Sequence, residues 1–221
     1  MLKLIIGNRA YSSWSMRGWL AVKQSGEEFE ELVVPMFDDE WEKRREGDEF
    51  APSLGKVPIL WDGECVVWDS LAIVEFLADR VGRERYWPED AGARGMARSM
   101  AAEMHSSFAN LRRELPMNVR KSFASRELSD GVKDDINRIL QLWAQARARF
   151  GGTGDSLFGT WCAADIMYAP VVTRFITYGV AVPPFAELYM KAVLSHPHVQ
   201  EWIDQAQDEP WVIEQYEDAA A

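Results

Sequence analysis

Three serines, Ser12, Ser13 and Ser15, lie directly after the apolar N-terminal segment of the chain, and Arg17 follows them. A hydroxyl at the start of a helix caps free backbone N–H groups. At the same place a hydroxyl can also stabilise a bound anion, because the helix N-terminus carries positive partial charge. Residues 10–19 alone favour simple capping, so the choice between these roles depends on the rest of the chain.

The chain is acidic, with a formal net charge of -11 that comes from 24 Lys and Arg against 35 Asp and Glu. We therefore expect no nucleic-acid partner and no anionic membrane surface, although a small anionic ligand remains compatible. The first apolar run is too short for a signal peptide, and no run reaches membrane-spanning length. Cys65 and Cys162 form no CxxC pair, which argues against a disulfide framework or a metal site. These features predict a cytoplasmic protein.

The first part of the chain predicts a β-α-β unit followed by a β-hairpin and a helix. The hairpin is indicated by Asp62-Gly63, a common two-residue turn between apolar segments. The predicted elements are a strand at 3–7, a helix from Ser13 or Ser15 to Gln24, a strand within 29–36, a short helix or loop at 38–50, hairpin strands at 57–60 and 65–68, and a helix at 69–81.

The second part of the chain has helical periodicity throughout. Its predicted helices span 96–115, which Pro116 ends, 130–150, and 162–179, in which we expect Pro170 to produce a kink. Two shorter helices are predicted at 184–195 and 198–207. The domain organisation predicted from this change of pattern is residues 1–81, a linker at 82–93, and an all-α domain at 94–221.

The order of elements resembles that of a cytosolic glutathione transferase over nearly the whole chain. Four segments carry the resemblance: "SSWSMR" at 12–17, "KVPIL" at 56–60, "WDSLAIVEFL" at 68–77 and "CAADIMYAP" at 162–170. The first is similar to the zeta-class SSxSxR signature and, more loosely, to that of other bacterial serine-type members. The resemblance implies an α/β plus all-α fold, in which a thioredoxin-like βαβ-ββα domain that binds glutathione precedes an all-helical substrate-binding domain.

Two positions depart from the family pattern. Trp14 stands where the zeta signature has a cysteine, which weakens an interpretation based on cysteine chemistry. Cys162 replaces the hydroxyl of a helix-capping box, so we expect Asp165 to form its half of the box and the reciprocal half to be weakened.

The resemblance implies that a serine hydroxyl activates glutathione. A free thiol has a pKa of ~8.5 and must lose about 2 units, or ~2.7 kcal/mol, to ionise at neutral pH. A hydrogen bond to the thiolate contributes ~1.5–3 kcal/mol, and a helix N-terminus adds ~0.3–1 kcal/mol. Together these effects suffice without a metal. The catalytic candidates are Ser12 and Ser13, and Ser12 is favoured.

Further residues are candidates for binding glutathione. Arg17 is expected either to face the ligand or to pair with a carboxylate. In related folds the Val-Pro bond is cis, and the exposed backbone of the valine pairs with the cysteinyl unit as a short strand addition. The implied glutathione-binding residues are Ser15, Arg17, Lys56, Val57, Pro58, Asp69 and Ser70, with Lys56 near the glycine carboxylate and Asp69 and Ser70 at the γ-glutamyl end.

His105, Phe108 and Arg112 are spaced to share one face of the helix predicted at 96–115. This face either walls a cleft for an electrophilic substrate or packs against another helix or a second subunit. Both alternatives remain open at this stage.

The leading hypothesis is a glutathione transferase that joins the glutathione thiolate to a small electrophile, with glutathione as co-substrate. The alternatives are a zeta-like maleylacetoacetate cis–trans isomerase that uses glutathione, and a non-catalytic interaction module on the same fold. The resemblance implies a homodimer. The sequence does not identify the electrophile.

Overall fold

The computed structural model of the protein describes residues 1–218. Its N-terminal part contains a four-stranded sheet in the order β2-β1-β3-β4. The strands are β1 (Leu2–Ile6), β2 (Phe29–Val33), β3 (Ile59–Asp62) and β4 (Cys65–Trp68). β1 and β2 pair in parallel, and the other pairs are antiparallel. The helices of this part are α1 (Ser13–Ser25), α2 (Trp41–Arg45) and α3 (Ser70–Val81), and a short 3-10 helix spans Ala51–Ser53.

The second part of the described chain is helical. It contains α4 (Ala91–Ser106), α5 (Ala109–Glu114), α6 (Asp130–Phe150), α7 (Ala163–Thr177), α8 (Pro184–Ser195) and α9 (Pro197–Gln207), with 3-10 helices at Arg83–Arg85 and Glu214–Tyr216. The predicted combination of a thioredoxin-like βαβ-ββα unit with an all-helical part is confirmed. No helix among residues 1–218 is long and apolar enough to cross a membrane.

Several predicted boundaries need correction. β2 ends at Val33, well before residue 36, and Pro35 has no N–H to continue the ladder. The hairpin pairs Asp62 with Cys65, so its two-residue loop is Gly63–Glu64, with Gly63 at a φ of 61°. α4 begins at Ala91, inside the predicted linker, because Asp90 caps it by accepting the N–H of Ala93 at 2.7 Å.

The single helix predicted at 96–115 is interrupted. α4 ends at Ser106, and Phe108 adopts a φ of 64° before α5 begins. The carboxylate of Asp135 on α6 accepts the N–H of Leu111 at 2.9 Å, so a tertiary contact satisfies a free donor at the start of α5. Apolar periodicity continues across the interruption, which explains why the sequence pattern does not reveal it.

α7 is the central helix of the helical part, and it is buried along nearly its whole length. The helix continues through Pro170. Its capping box forms despite Cys162: the Cys162 N–H donates to Asp165 at 2.9 Å, and the Cys162 sulfur faces the N–H of Asp165. Asp165 also accepts the N–H of Leu157 at 3.0 Å. The expected weakening of the box is therefore offset by a second backbone donor to the same carboxylate.

The two parts pack closely, and α1 lies between them. Arg17 of α1 donates from Nε to the carbonyl of Met167 on α7 at 2.9 Å. Tyr86 joins the parts as well, because its hydroxyl donates to the carbonyl of Ala21 and its own carbonyl accepts the N–H of Ala163. The start of α1, which carries the serines, is thus held at the boundary between the sheet and the helical part.

Candidate active site

Ser12 is the N-cap of α1, with its Oγ accepting the N–H of Ser15 at 3.3 Å. The hydroxyl oxygens of Ser12 and Ser15 lie 2.8 Å apart. The Ser15 hydroxyl in turn accepts the backbone N–H of Gly7, at the end of β1, at 2.9 Å. The structure therefore contains a row of three polar groups that runs from the sheet through Ser15 to Ser12. Ser15 itself is fully buried.

Ser13 has a different environment. Its Oγ accepts a hydrogen bond from Nη2 of Arg174 on α7 at 3.2 Å, and its carbonyl accepts one from Nη1 of Arg17 at 3.3 Å. The two adjacent serines thus differ in their partners. The Ser12 hydroxyl bonds to Ser15 of α1, whereas Ser13 bonds to two guanidinium groups.

Arg17 is fully buried, and its Nη2 has no hydrogen-bond partner among the described residues. Its guanidinium lies 4.9 Å from the centre of the Trp14 ring. Burial lowers the pKa of Arg17 well below its usual range, and the positive charges of Arg112 and Arg174 lower it further. Of its two expected roles, pairing with a carboxylate does not occur within the described chain, because its bonds go to carbonyl oxygens.

Asp69 and Ser70 form the start of α3. Asp69 adopts a φ of 80°, and its Oδ1 accepts the N–H groups of Leu71 and Ala72 at 2.9 and 3.3 Å. The Ser70 side chain is buried, and its Oγ has no hydrogen-bond partner in the described chain. A buried hydroxyl without a partner is costly, so a bound polar group at this helix end would satisfy it.

The Val57–Pro58 peptide bond is cis, as the resemblance implies. Pro58 packs against α1 at Gly18, where an added Cβ would lie only 2.6 Å from Pro58 Cγ. Val57 lies outside the ladder, since β3 begins at Ile59. Lys56 is exposed, and Ser53 Oγ holds its backbone N–H at 3.0 Å.

Two of the three residues expected to line a substrate cleft lie near the start of α1. His105 places its ring 5.3 Å from that of Trp14, and the Arg112 guanidinium lies 4.6 Å from the centre of the same ring. Phe108, by contrast, is only 5% exposed and packs in the hydrophobic core. The helix interruption at Phe108 turns its side chain into the core, so the expected common face of these residues does not exist.

Two features of this region are absent from the sequence interpretation. Trp14 is the residue around which Arg17, His105 and Arg112 assemble. Arg174 is the other, and the sequence signal that could have found it is a single basic residue within the mostly apolar segment that forms α7. No group of three or more His, Cys, Asp or Glu side chains within residues 1–218 is placed to hold a metal ion.

Comparison with known proteins identifies similar chains. Residues 11–80 match the family described as "Glutathione S-transferase, N-terminal domain". Glutathione S-transferase 1 of Dianthus caryophyllus is 25% identical over 185 residues, which cover 79% of this chain and 78% of that protein. Glutathione S-transferase GstB of Escherichia coli (strain K12) is 25% identical over 163 residues, which cover 72% of each protein.

A solved structure of similar fold is that of a glutathione transferase homolog from Burkholderia gl BGR1 with bound glutathione. It superimposes with a TM-score of 0.69 at 22% sequence identity, over 94% of this chain and 98% of that one. At this level of identity the likeness shows a shared fold.

Proposed function

We propose that the protein is a glutathione S-transferase whose Ser12 hydroxyl stabilises the glutathione thiolate. The match of residues 11–80 to the N-terminal domain of that family supports this proposal. The observation that carries the proposal is the row of polar groups from Gly7 through Ser15 to Ser12. It supports a serine-type mechanism of the zeta-like kind, although no cysteine stands at position 14.

The row supplies a reason to favour Ser12. In the ligand-free chain Ser12 Oγ donates to Ser15 Oγ, which also accepts the Gly7 N–H. A hydroxyl proton rotates to suit its partners, so when a thiolate binds beside Ser12 the pair reverses and Ser15 donates to Ser12 Oγ. Ser12 Oγ then accepts from both the hydroxyl and the N–H of Ser15. In this arrangement the proton of Ser12 is left to point at a sulfur beside the helix N-terminus. Hydrogen bonds in a chain polarise one another, which makes Ser12 a stronger donor.

The reaction requires no further group from the chain. The thiol of glutathione releases its proton to solvent, and Ser12 stabilises the resulting thiolate. The thiolate sulfur forms a bond to the electrophilic carbon, and the bond from that carbon to the leaving group breaks, with its electron pair going to the leaving group. The charged hydrogen bond and the helix N-terminus supply the ~2.7 kcal/mol that ionisation at neutral pH needs.

The remaining polar groups suit the other parts of glutathione. The Asp69 carboxylate is placed for the γ-glutamyl ammonium, and Ser70 Oγ with the start of α3 for the adjacent carboxylate. The Val57 backbone is available to the cysteinyl unit, and the exposed Lys56 side chain to the glycine carboxylate. A homodimer in the cytoplasm remains the expectation for this proposal.

The alternatives have less support. An isomerase of the zeta type is disfavoured by Trp14, whose ring contacts Arg17, Arg112 and His105 in place of a cysteine thiol. A non-catalytic module has no need of the buried and unpartnered Ser70 hydroxyl.

The test compares Ser12→Ala, Ser13→Ala and Ser15→Ala after retention of the wild type on immobilised glutathione. Ser12→Ala is expected to lower kcat/KM for conjugation of 1-chloro-2,4-dinitrobenzene by about 100-fold, as removal of one transition-state donor does elsewhere. Ser15→Ala is expected to raise the pKa of the bound thiol and lower the rate less. Ser13→Ala is the matched control. A larger loss of kcat/KM in Ser13→Ala than in Ser12→Ala would overturn the choice of Ser12. If neither variant lost kcat/KM, the serine mechanism would be overturned. Failure to bind glutathione would overturn the proposed function.

A further inference from the structure

Three arginines from different helices converge on Ser13 and Trp14. Arg17 of α1 and Arg112 of α5 both lie against the Trp14 ring, at 4.9 and 4.6 Å from its centre. Arg17 and Arg174 of α7 both bond to Ser13, one to its carbonyl and the other to its hydroxyl. We refer to Arg17, Arg112 and Arg174 as the arginine cluster.

No member of the arginine cluster forms an ion pair with a carboxylate in residues 1–218. Their hydrogen bonds go to uncharged oxygens, namely the carbonyls of Met104, Ser107, Ser13, Leu115, Met167 and Pro170 and the hydroxyl of Ser13. Such isolation is unexpected in a chain with 35 acidic residues and a net charge of -11.

The isolation has an energetic cost. Arg17 and Arg174 are almost completely buried. Burial and the charge of Arg112 lower the pKa of Arg174 to about 9, so this side chain is still a cation at neutral pH. Burial lowers the pKa of Arg112 as well. Buried cations are normally paired. The carboxylates of Asp69 and Asp135 act on Arg17 and Arg112 without a direct bond, so a bound anion would stabilise the cluster further.

Glutathione is not the best candidate for this anion, because its two carboxylates have other groups available. Ser70 and the start of α3 suit one, and Lys56 suits the other. The cluster lies instead against the helical part of the protein, through the bonds of Arg17 to Met167 and of Arg174 to Leu115. In the fold that this chain resembles, the helical part binds the second substrate.

We propose that the electrophilic co-substrate of this enzyme carries a carboxylate or sulfonate, which the arginine cluster binds next to Trp14. The inference rests on the proposed transferase function. Arg112 makes the direct contact with this anionic group, because it is only partly buried. Its Nε donates to the Ser107 carbonyl and its Nη2 to the Met104 carbonyl, which leaves Nη1 for the ligand. The two buried arginines add positive field. The partly exposed Trp14 ring offers a flat apolar surface to the body of the substrate.

The test uses two electrophiles that differ in charge at one position, 4-chloro-3-nitrobenzoate and its methyl ester. With either probe the glutathione sulfur bonds to the ring carbon and chloride leaves with the electron pair. The wild type is expected to prefer the carboxylate over the ester by at least about tenfold in kcat/KM, after correction for their uncatalysed rates. Arg112→Gln is expected to reduce this preference to about twofold or less, while the glutathione KM stays within about twofold of wild type.

Arg113→Gln is the matched control, since Arg113 is the next residue on α5, is exposed, and loses the same charge. It is expected to keep the wild-type preference. Arg112→Lys, which retains the positive charge, is expected to keep part of it. Because Arg112 also bonds to two carbonyls, the folded state of each variant is checked by circular dichroism and thermal unfolding.

The outcomes separate the two proposals. Conjugation of the ester as efficiently as of the carboxylate would overturn the anionic substrate and leave the transferase intact. A glutathione KM that rises in Arg112→Gln with an unchanged preference would assign the cluster to glutathione and overturn the inference. If neither probe reacts, calorimetry with the unreactive 3-nitrobenzoate and its methyl ester, at saturating glutathione, gives the same comparison. Equal affinity for 3-nitrobenzoate and its methyl ester would overturn the inference of an anionic substrate. Absence of glutathione binding would overturn the proposed function on which the inference rests.

Discussion

The Nε2 atom of His105 lies 3.2 Å from Oδ2 of Asp69, and this contact joins the end of α4 to the start of α3. The two carboxylate oxygens of Asp69 therefore have different partners. Oδ1 caps α3 through Leu71 and Ala72, and Oδ2 faces His105 at a partly exposed position. The carboxylate that we assign to the γ-glutamyl ammonium is thus held from both sides before a ligand arrives.

Asp69→Asn is expected to weaken glutathione binding by about tenfold, because the ammonium loses a charged partner. Asparagine tolerates a positive φ better than most residues and still caps a helix, so the fold should be retained. Titration calorimetry measures the change, with the exposed hairpin residue Glu64 changed to Gln as the control for net charge. Unchanged affinity in Asp69→Asn would show that the ammonium is bound elsewhere.

Gly18→Ala is expected to destabilise the protein by about 1–3 kcal/mol, because the new methyl group would meet the ring of Pro58. The same change at Gly95 in α4 is the control, since nothing lies within 4 Å of an added Cβ there. Gly95→Ala should raise stability by up to about 1 kcal/mol through helix propensity. Urea denaturation measures both variants, and a Gly18→Ala variant as stable as Gly95→Ala would contradict the packing argument.

Glu209, in the segment after α9, forms hydrogen bonds with the loop that precedes Ser12. Its carboxylate accepts the N–H groups of Arg9 and Ala10 at 2.8 and 3.2 Å, and the Arg9 guanidinium lies 3.6 Å away. Glu209→Gln places an amide donor against these donors, so we expect a loss of about 2–3 kcal/mol of stability. We also expect a lower kcat, because the loop that holds Ser12 loosens. Glu214→Gln, at an exposed position of the same segment, should change neither quantity.

His196 should make stability depend on pH. Its Nδ1 accepts the N–H of His198 at the start of α9, its ring stacks on Trp161, and burial lowers its pKa to about 4. Between pH 6.5 and 4 the unfolded chain binds a proton that the folded chain does not, so stability falls as the pH falls. His196→Asn keeps a capping oxygen and should reduce this fall by about 1–2 kcal/mol in urea denaturation, after allowance for partial exposure. If wild type and His196→Asn lose the same free energy of unfolding between pH 6.5 and 4, His196 is not the cause of the pH dependence.

Local patterns predicted most of the elements correctly. The apolar repeat at 130–150 coincides with α6, and the residues at 184–195 coincide with α8. Both helices are set by residues three or four positions apart, which a sequence displays directly. The interruption at Phe108 depends instead on Asp135 of another helix, which caps α5 from a distance of 24 residues.

The sequence by itself determined that a cluster of hydroxyls precedes the first helix, that an acidic-Ser pair begins the third, and that a helical domain follows. Those features depend on capping and on short-range periodicity. Only the tertiary structure decided how the neighbouring hydroxyls differ: Ser12 joins a row that starts in the sheet, whereas Ser13 meets Arg174, which lies 161 residues away. The packing of α1 against α7 brings these groups together, and no spacing within the sequence encodes such a contact.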